Sequence, residues 1–186
     1  TIGNQKHPTL HPVDMVDCMV EEGKEGFLTG TSDLDAAQDD LAFFWERYCK
    51  IHPNNSICRR IASGEFNPRF LIPMLGHGDG GRTLKKQELV IVAQQGMLGH
   101  GTAAGRRKLH VLKDMFTKAN NKLNVMGNSL KTRMVFGVLH KRMFDKSPET
   151  FQEFMAAWAS DCAALLEEEF LSKSGNRYRA AVIGLK

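Results

Sequence analysis

The chain predicts an all-α protein, on three observations. Apolar residues recur at helical spacing in most segments. Several of those segments open on a capping residue or a proline. Between them stand clusters of Gly, Pro and Asn that end one element before the next begins.

Taken in order, Pro12 opens a first helix, in which Val13, Val16 and Val20 fall at helical spacing before Gly23. Ser32 caps a second, with Asp33, Asp35, Asp39 and Asp40 biased to its positive end. Its core stripe is Leu34, Ala37, Leu41, Phe44, Trp45 and Tyr48. The run His52-Pro53-Asn54-Asn55 ends it, and Ser56 to Ser63 forms a short third helix. Asn67-Pro68 turns the chain into the apolar run Phe70 to Leu75, which the flexible stretch from Gly76 to Gly81 interrupts. The β-branched Val90, Ile91 and Val92 leave Thr83–Gln95 open to helix or buried strand, and the helical company favours helix.

After the loop at Gly99 and Gly101, Thr102 caps a helix running to about Lys122. Asn128 or Ser129 opens another, carrying Leu130, Met134, Val138, Met143 and Phe144 on one face. Ser147-Pro148-Glu149 is the cleanest start signal. It leads a stripe of Phe151, Phe154, Met155, Trp158, Cys162, Leu165 and Leu166 that Gly175 ends. Two small helical-bundle subdomains result: 1–75, then a Gly/basic linker with a basic helix over 76–96, then 97–173, with 174–186 as a tail.

Charge is sorted along this order. Residues 1–75 carry seven Lys/Arg against eleven Asp/Glu, residues 76–150 carry fourteen against five, and residues 151–186 carry four against five. An acidic front and a basic middle favour polyanions as partners, and copies of the same chain through opposite ends. The candidate phosphate-binding set is Arg82, Lys85, Lys86, Arg106, Arg107, Lys108, Lys113, Lys118, Lys122, Lys131, Arg133, Lys141 and Arg142. Lipid headgroups and nucleic-acid backbones present the same anion, so the cations alone do not choose between them. The shortage of aromatics among them argues against base stacking. His77, His100, His110 and His140 lie in this basic stretch and are candidate pH sensors.

Other chemistry is poorly represented. The histidines and cysteines lack the spacing of a zinc site, no nucleophile–base pattern is suggested, and no cofactor is implied, so the reading is non-enzymatic. Met74-Leu75-Gly76-His77-Gly78 echoes as Met97-Leu98-Gly99-His100-Gly101, without a following Lys-Ser/Thr, and reads as helix connectors. Cys18, Cys49, Cys58 and Cys162 read as buried, reduced thiols of no chemical role. No apolar stretch approaches the roughly 20 residues of a membrane span, and no signal-peptide layout opens the chain, which suggests cytosol or nucleus.

The segment order resembles a known family. Asp33-Leu34-Asp35-Ala36 leads to Trp45, then to Phe70-Leu71-Ile72-Pro73-Met74-Leu75. A Gly/basic linker with Arg82, Lys85 and Lys86 follows, then a Val-rich segment, Gly99 and Gly101, and Arg106-Arg107-Lys108-Leu109. Leu130, Met134, Gly137, Arg142-Met143, Glu149, Ala156-Ala157 and Cys162 complete the series. Over roughly residues 14–170 this is similar to the N-terminal and middle domains of the orthomyxovirus (influenza-type) matrix proteins, as a divergent member. The resemblance implies two helical subdomains and a self-assembling shell on the inner face of a viral envelope, holding anionic lipid and contacting the ribonucleoprotein. It implies a virion location, with host cytoplasm, nucleus and plasma membrane visited during infection. The family's basic helix falls on Arg106, Arg107, Lys108 and Lys113. Its Cys-x-x-Cys and histidines are not matched, since only Cys162 stands near that place, so zinc is not implied.

Overall fold

The computed structural model of the chain describes residues 7–82, 88–99 and 133–185. Helices α1 (Pro12–Glu21), α2 (Gly26–Thr29), α3 (Gln38–Ile51) and α4 (Ser56–Ala62) come first. Strands β1 (Leu71–Arg82), β2 (Glu88–Gly96) and β3 (Met134–His140) follow, then α5 (Lys141–Lys146), α6 (Pro148–Glu167), β4 (Phe170–Leu171) and β5 (Arg177–Leu185). The strands form one sheet in the order β3-β2-β1-β5-β4. β1 pairs antiparallel with β2 and parallel with β5, β2 pairs antiparallel with β3, and β4 antiparallel with β5.

The all-α expectation is therefore overturned, and with it the two helical bundles and the linker between them. Met74 to Arg82, including the glycine stretch, pairs residue for residue with Glu88 to Gly96. The Val-rich segment is the strand β2, where β-branched side chains pack well between two neighbours. Met134 and Val138 lie on β3 rather than on a helix. The expected tail contains β5, where Tyr178 and Ala180 are fully buried. The helix expected from Thr102 lies outside the described residues.

The helices read from periodicity hold up better. Val16 and Val20 of α1 face the core, and Gly23 takes φ +64° just past its end. Leu34, Ala37, Leu41, Phe44 and Trp45 are buried as the stripe requires. The start differs: α3 begins at Gln38 with no side-chain cap, and the Ala36 N–H donates to Asp33 Oδ1 at 2.8 Å in the turn before it. Trp45 Nε1 donates to the Leu71 carbonyl at 2.7 Å, which seats α3 against the start of β1. The last long helix starts at Pro148 as expected but ends at Glu167, and Gly175 instead turns the β4–β5 hairpin.

A second core lies between α6 and the other end of the sheet, built from Val92, Phe136, Leu139, Phe154 and Trp158. Two glycines make it possible. A Cβ on Gly76 would sit 2.7 Å from the Trp158 ring, and one on Gly137 would sit 2.8 Å from the Phe154 ring. Trp158 Nε1 donates to Gln94 Oε1 at 3.2 Å, so the indole is fixed at both its face and its edge.

Asp35 ties the helical front to the last hairpin. Its Oδ1 accepts from Asn176 Nδ2 at 2.8 Å, from the Tyr178 hydroxyl at 2.8 Å and from Gln38 Nε2 at 3.4 Å. Burial pushes the carboxyl up, but hydrogen bonds from Asn176, Ser174, Tyr178 and Ser172 outweigh it and hold the group well below the ordinary carboxylate range. Because folding lowers this pKa, its stabilisation is complete above the unfolded value of about 4 and fades as pH falls below it. Asp35→Asn should cost about 1–2 kcal/mol at pH 7 and flatten the acid limb of stability, read as urea midpoints between pH 7 and 3. Equal acid limbs for the two proteins would show that the latch contributes nothing.

Candidate functional site: a basic insertion between neighbouring strands

Neighbouring antiparallel strands need as few as two residues to connect them. β2 and β3 are such neighbours, with Gln94 opposite Met134. Yet 37 residues, 97–133, separate Gly96 from Met134. This stretch holds Arg106, Arg107, Lys108, Lys113, Lys118, Lys122, Lys131 and Arg133 against the single acid Asp114. Long connections between adjacent elements of a compact fold are usually functional.

The described flanks show how the insertion is rooted. Met97 N donates to the Pro73 carbonyl at 2.8 Å, and Leu98 is buried in the main core. At the return, Arg133 is half-buried and engaged. The other seven cations lie outside the described residues, as do Lys85, Lys86, His100 and His110.

The remaining basic candidates belong to the opposite end of the sheet. The chain leaves β1 at Arg82 and re-enters β2 at Glu88, and these two residues are paired. β3 ends at His140 beside Leu89, so Lys141 and Arg142 begin α5 at the same end. Nine strand residues at about 3.3 Å each put roughly 30 Å between this end and the roots of the insertion. The roots of the insertion and the end that carries Arg82, Lys141 and Arg142 are thus at opposite ends of β2.

Lys141 Nζ pairs with Glu88 Oε2 at 2.8 Å, and this carboxylate holds the lysine pKa above its usual value. Both line a cleft of about 340 Å³ with Gly80, Gly81, Leu89, Val90 and Phe144. Arg142 is exposed, and its backbone N–H is accepted by His140 Nδ1 at 3.2 Å. That geometry needs the ring nitrogen unprotonated, so His140 caps a helix. His77 is buried on β1, 8% exposed, rather than standing at a basic surface.

The acidic front persists in the fold. Asp17 on α1 is raised by burial and then by Glu21, Asp14 and Glu168, which gathers like charges from α1 and the end of α6. Among the described residues no three His, Cys, Asp or Glu side chains gather as metal ligands, and burial pushes the Cys162 thiol up to about 12. Cys18 is exposed, against the expectation of burial, while Cys49 and Cys162 are half-buried and Cys58 is buried.

Sequence reasoning missed the Asp35 latch and the Gln94–Trp158 bond, because partners 141 and 64 residues apart leave no local signal. No known protein family, curated protein or solved structure matches the chain. The segments that carried the matrix-protein resemblance at Phe70–Leu75, at Val90–Val92 and at Met134–Gly137 are strands or enter one, so its helical fold does not apply here.

Proposed function

We propose that this protein coats RNA through its phosphate backbone, using residues 97–133 as the main contact. The supporting observation is the insertion: eight cations and one acid in 37 residues, placed where two residues would close the fold. Few aromatics accompany those cations, Phe116 being the only one, so recognition is electrostatic and tolerant of sequence. Lys141 and Arg142, with Arg82 ending β1 at the same end of the sheet about 30 Å from its roots, extend the track for a polymer. The acidic patch of Asp14, Asp17, Glu21 and Glu168 supports contacts between copies along that polymer, basic insertion against acidic helix face.

The membrane-shell reading uses the same cations on lipid headgroups, and one comparison separates the two. RNA filter binding and flotation on phosphatidylserine vesicles are measured at matched salt. Tight RNA retention that weakens between 50 and 200 mM salt, with little flotation, is expected. Flotation without RNA retention would transfer the site to anionic membrane. Neither activity would leave an adaptor whose cations only solubilise it.

A further inference from the structure

The helical hairpin of α3 and α4 places two thiols together. Cys49 stands two residues before the end of α3, and Cys58 is the third residue of α4, across the four-residue turn 52–55. The two thiols are near enough for Cys58 to act on Cys49. Cys58 is 3% exposed and Cys49 is half-buried, so one thiol of the pair is open to solvent species and the other is shielded behind it. Tyr48 packs beside them, its ring 5.7 Å from Phe44 and 4.6 Å from His52. Cys18 on α1 and Cys162 on α6 belong to other parts of the fold.

We propose that Cys49 and Cys58 are an oxidation site that closes an intramolecular disulfide between α3 and α4 when the protein meets a peroxide. The Cys49 thiol, the accessible one, gives up its proton and attacks one peroxide oxygen. The O–O bond breaks, Cys49 becomes a sulfenic acid, and the departing hydroxide takes the proton to leave as water. The Cys58 sulfur then displaces the sulfenic hydroxyl, which leaves as a second water as the Cys58 proton is lost. Two thiols are oxidised by two electrons and the peroxide is reduced to two waters. Thiols on facing ends of one helical hairpin need only side-chain shifts to reach the S–S length of about 2.05 Å.

Burial and the neighbouring Cys58 thiol push Cys49 up to about 12, so little thiolate is present at neutral pH. The reaction is therefore slow, a response to sustained oxidant rather than rapid signalling. The closed loop pins the C-terminal turn of α3 to the first turn of α4, and through α3 it bears on Trp45 and the Leu71 end of β1.

The test uses the full chain carrying Cys18→Ser and Cys162→Ser, so that only the pair remains. After hours in hydrogen peroxide, alkylation under denaturing conditions should find both thiols gone. Peptide mass mapping should find 49 linked to 58 in a monomer, and dithiothreitol should restore both thiols. Melting temperature should rise on oxidation and fall back on reduction. Adding Cys58→Ser should leave Cys49 as a sulfenic acid that dimedone traps, without any internal link. Two alkylatable thiols after treatment, or linkage only between molecules, would overturn the proposal. Circular dichroism on each variant ensures that a folded protein is being read.

Discussion

Replacing residues 100–132 by a linker of about eight Gly, Ser and Asn residues should preserve the sheet and remove RNA binding. The strands that flank this segment pair through Gln94 and Met134, and Met97 and Leu98 are held by Pro73 and the main core on the near side of the cut. Eight residues span the gap comfortably. The strand pairing and the near-side anchors lie outside the cut, so stability should hold. Seven cations leave with the segment. If all seven contact phosphates of single-stranded RNA, the salt slope of log K becomes shallower by about 5, and up to about a thousandfold of affinity at 50 mM salt relative to 200 mM goes with it. A second protein, of full length with those seven residues changed to Gln, should lose the same slope. RNA affinity unchanged in both proteins, with native circular dichroism, would move the contact to another surface.

What the sequence made legible was local. The stripe from Leu34 to Tyr48 and the Pro12 and Pro148 helix starts survive because each rests on residues within a few turns of one another. The sheet was hidden for the opposite reason. β1 is its central strand, yet it contains Pro73 and four glycines, a composition that ordinarily argues against that position. Of those glycines, Gly76 is required by a side chain far along the chain, Trp158, while Gly81 has nothing within 4 Å. The β-branched core of β2 did register as a possible strand, and its apparently helical neighbours decided against it. The charge sorting was equally readable, and the acids of α1 stay grouped in the fold. That Arg82 and Lys141 stand at one end of the sheet was not readable, because that end is defined by pairing, and pairing leaves no trace in residue spacing.

Gly76→Val distinguishes a central strand from a linker more sharply than any other single change. In a flexible connector valine would be harmless. In β1 its Cβ would meet the Trp158 ring at 2.7 Å and approach the Gly184 carbonyl at 3.2 Å, and the branched methyls need further room. The indole must leave its seat, breaking the bond to Gln94 and opening the core of Val92, Phe136, Leu139 and Phe154. Overpacking and the lost buried hydrogen bond together come to about 3–5 kcal/mol, a large part of an ordinary domain's 5–15. Gly81→Val, on the same strand, meets nothing within 4 Å and adds strand propensity, so its urea midpoint should match the parent or exceed it. The cause can be isolated by a cycle with Trp158→Ala. That change alone should cost about 3–5 kcal/mol, but with the indole gone Gly76→Val should cost far less than it does in the parent. Additive losses would mean that the valine acts on the strand itself, and the seating of α6 on Gly76 would have to be abandoned.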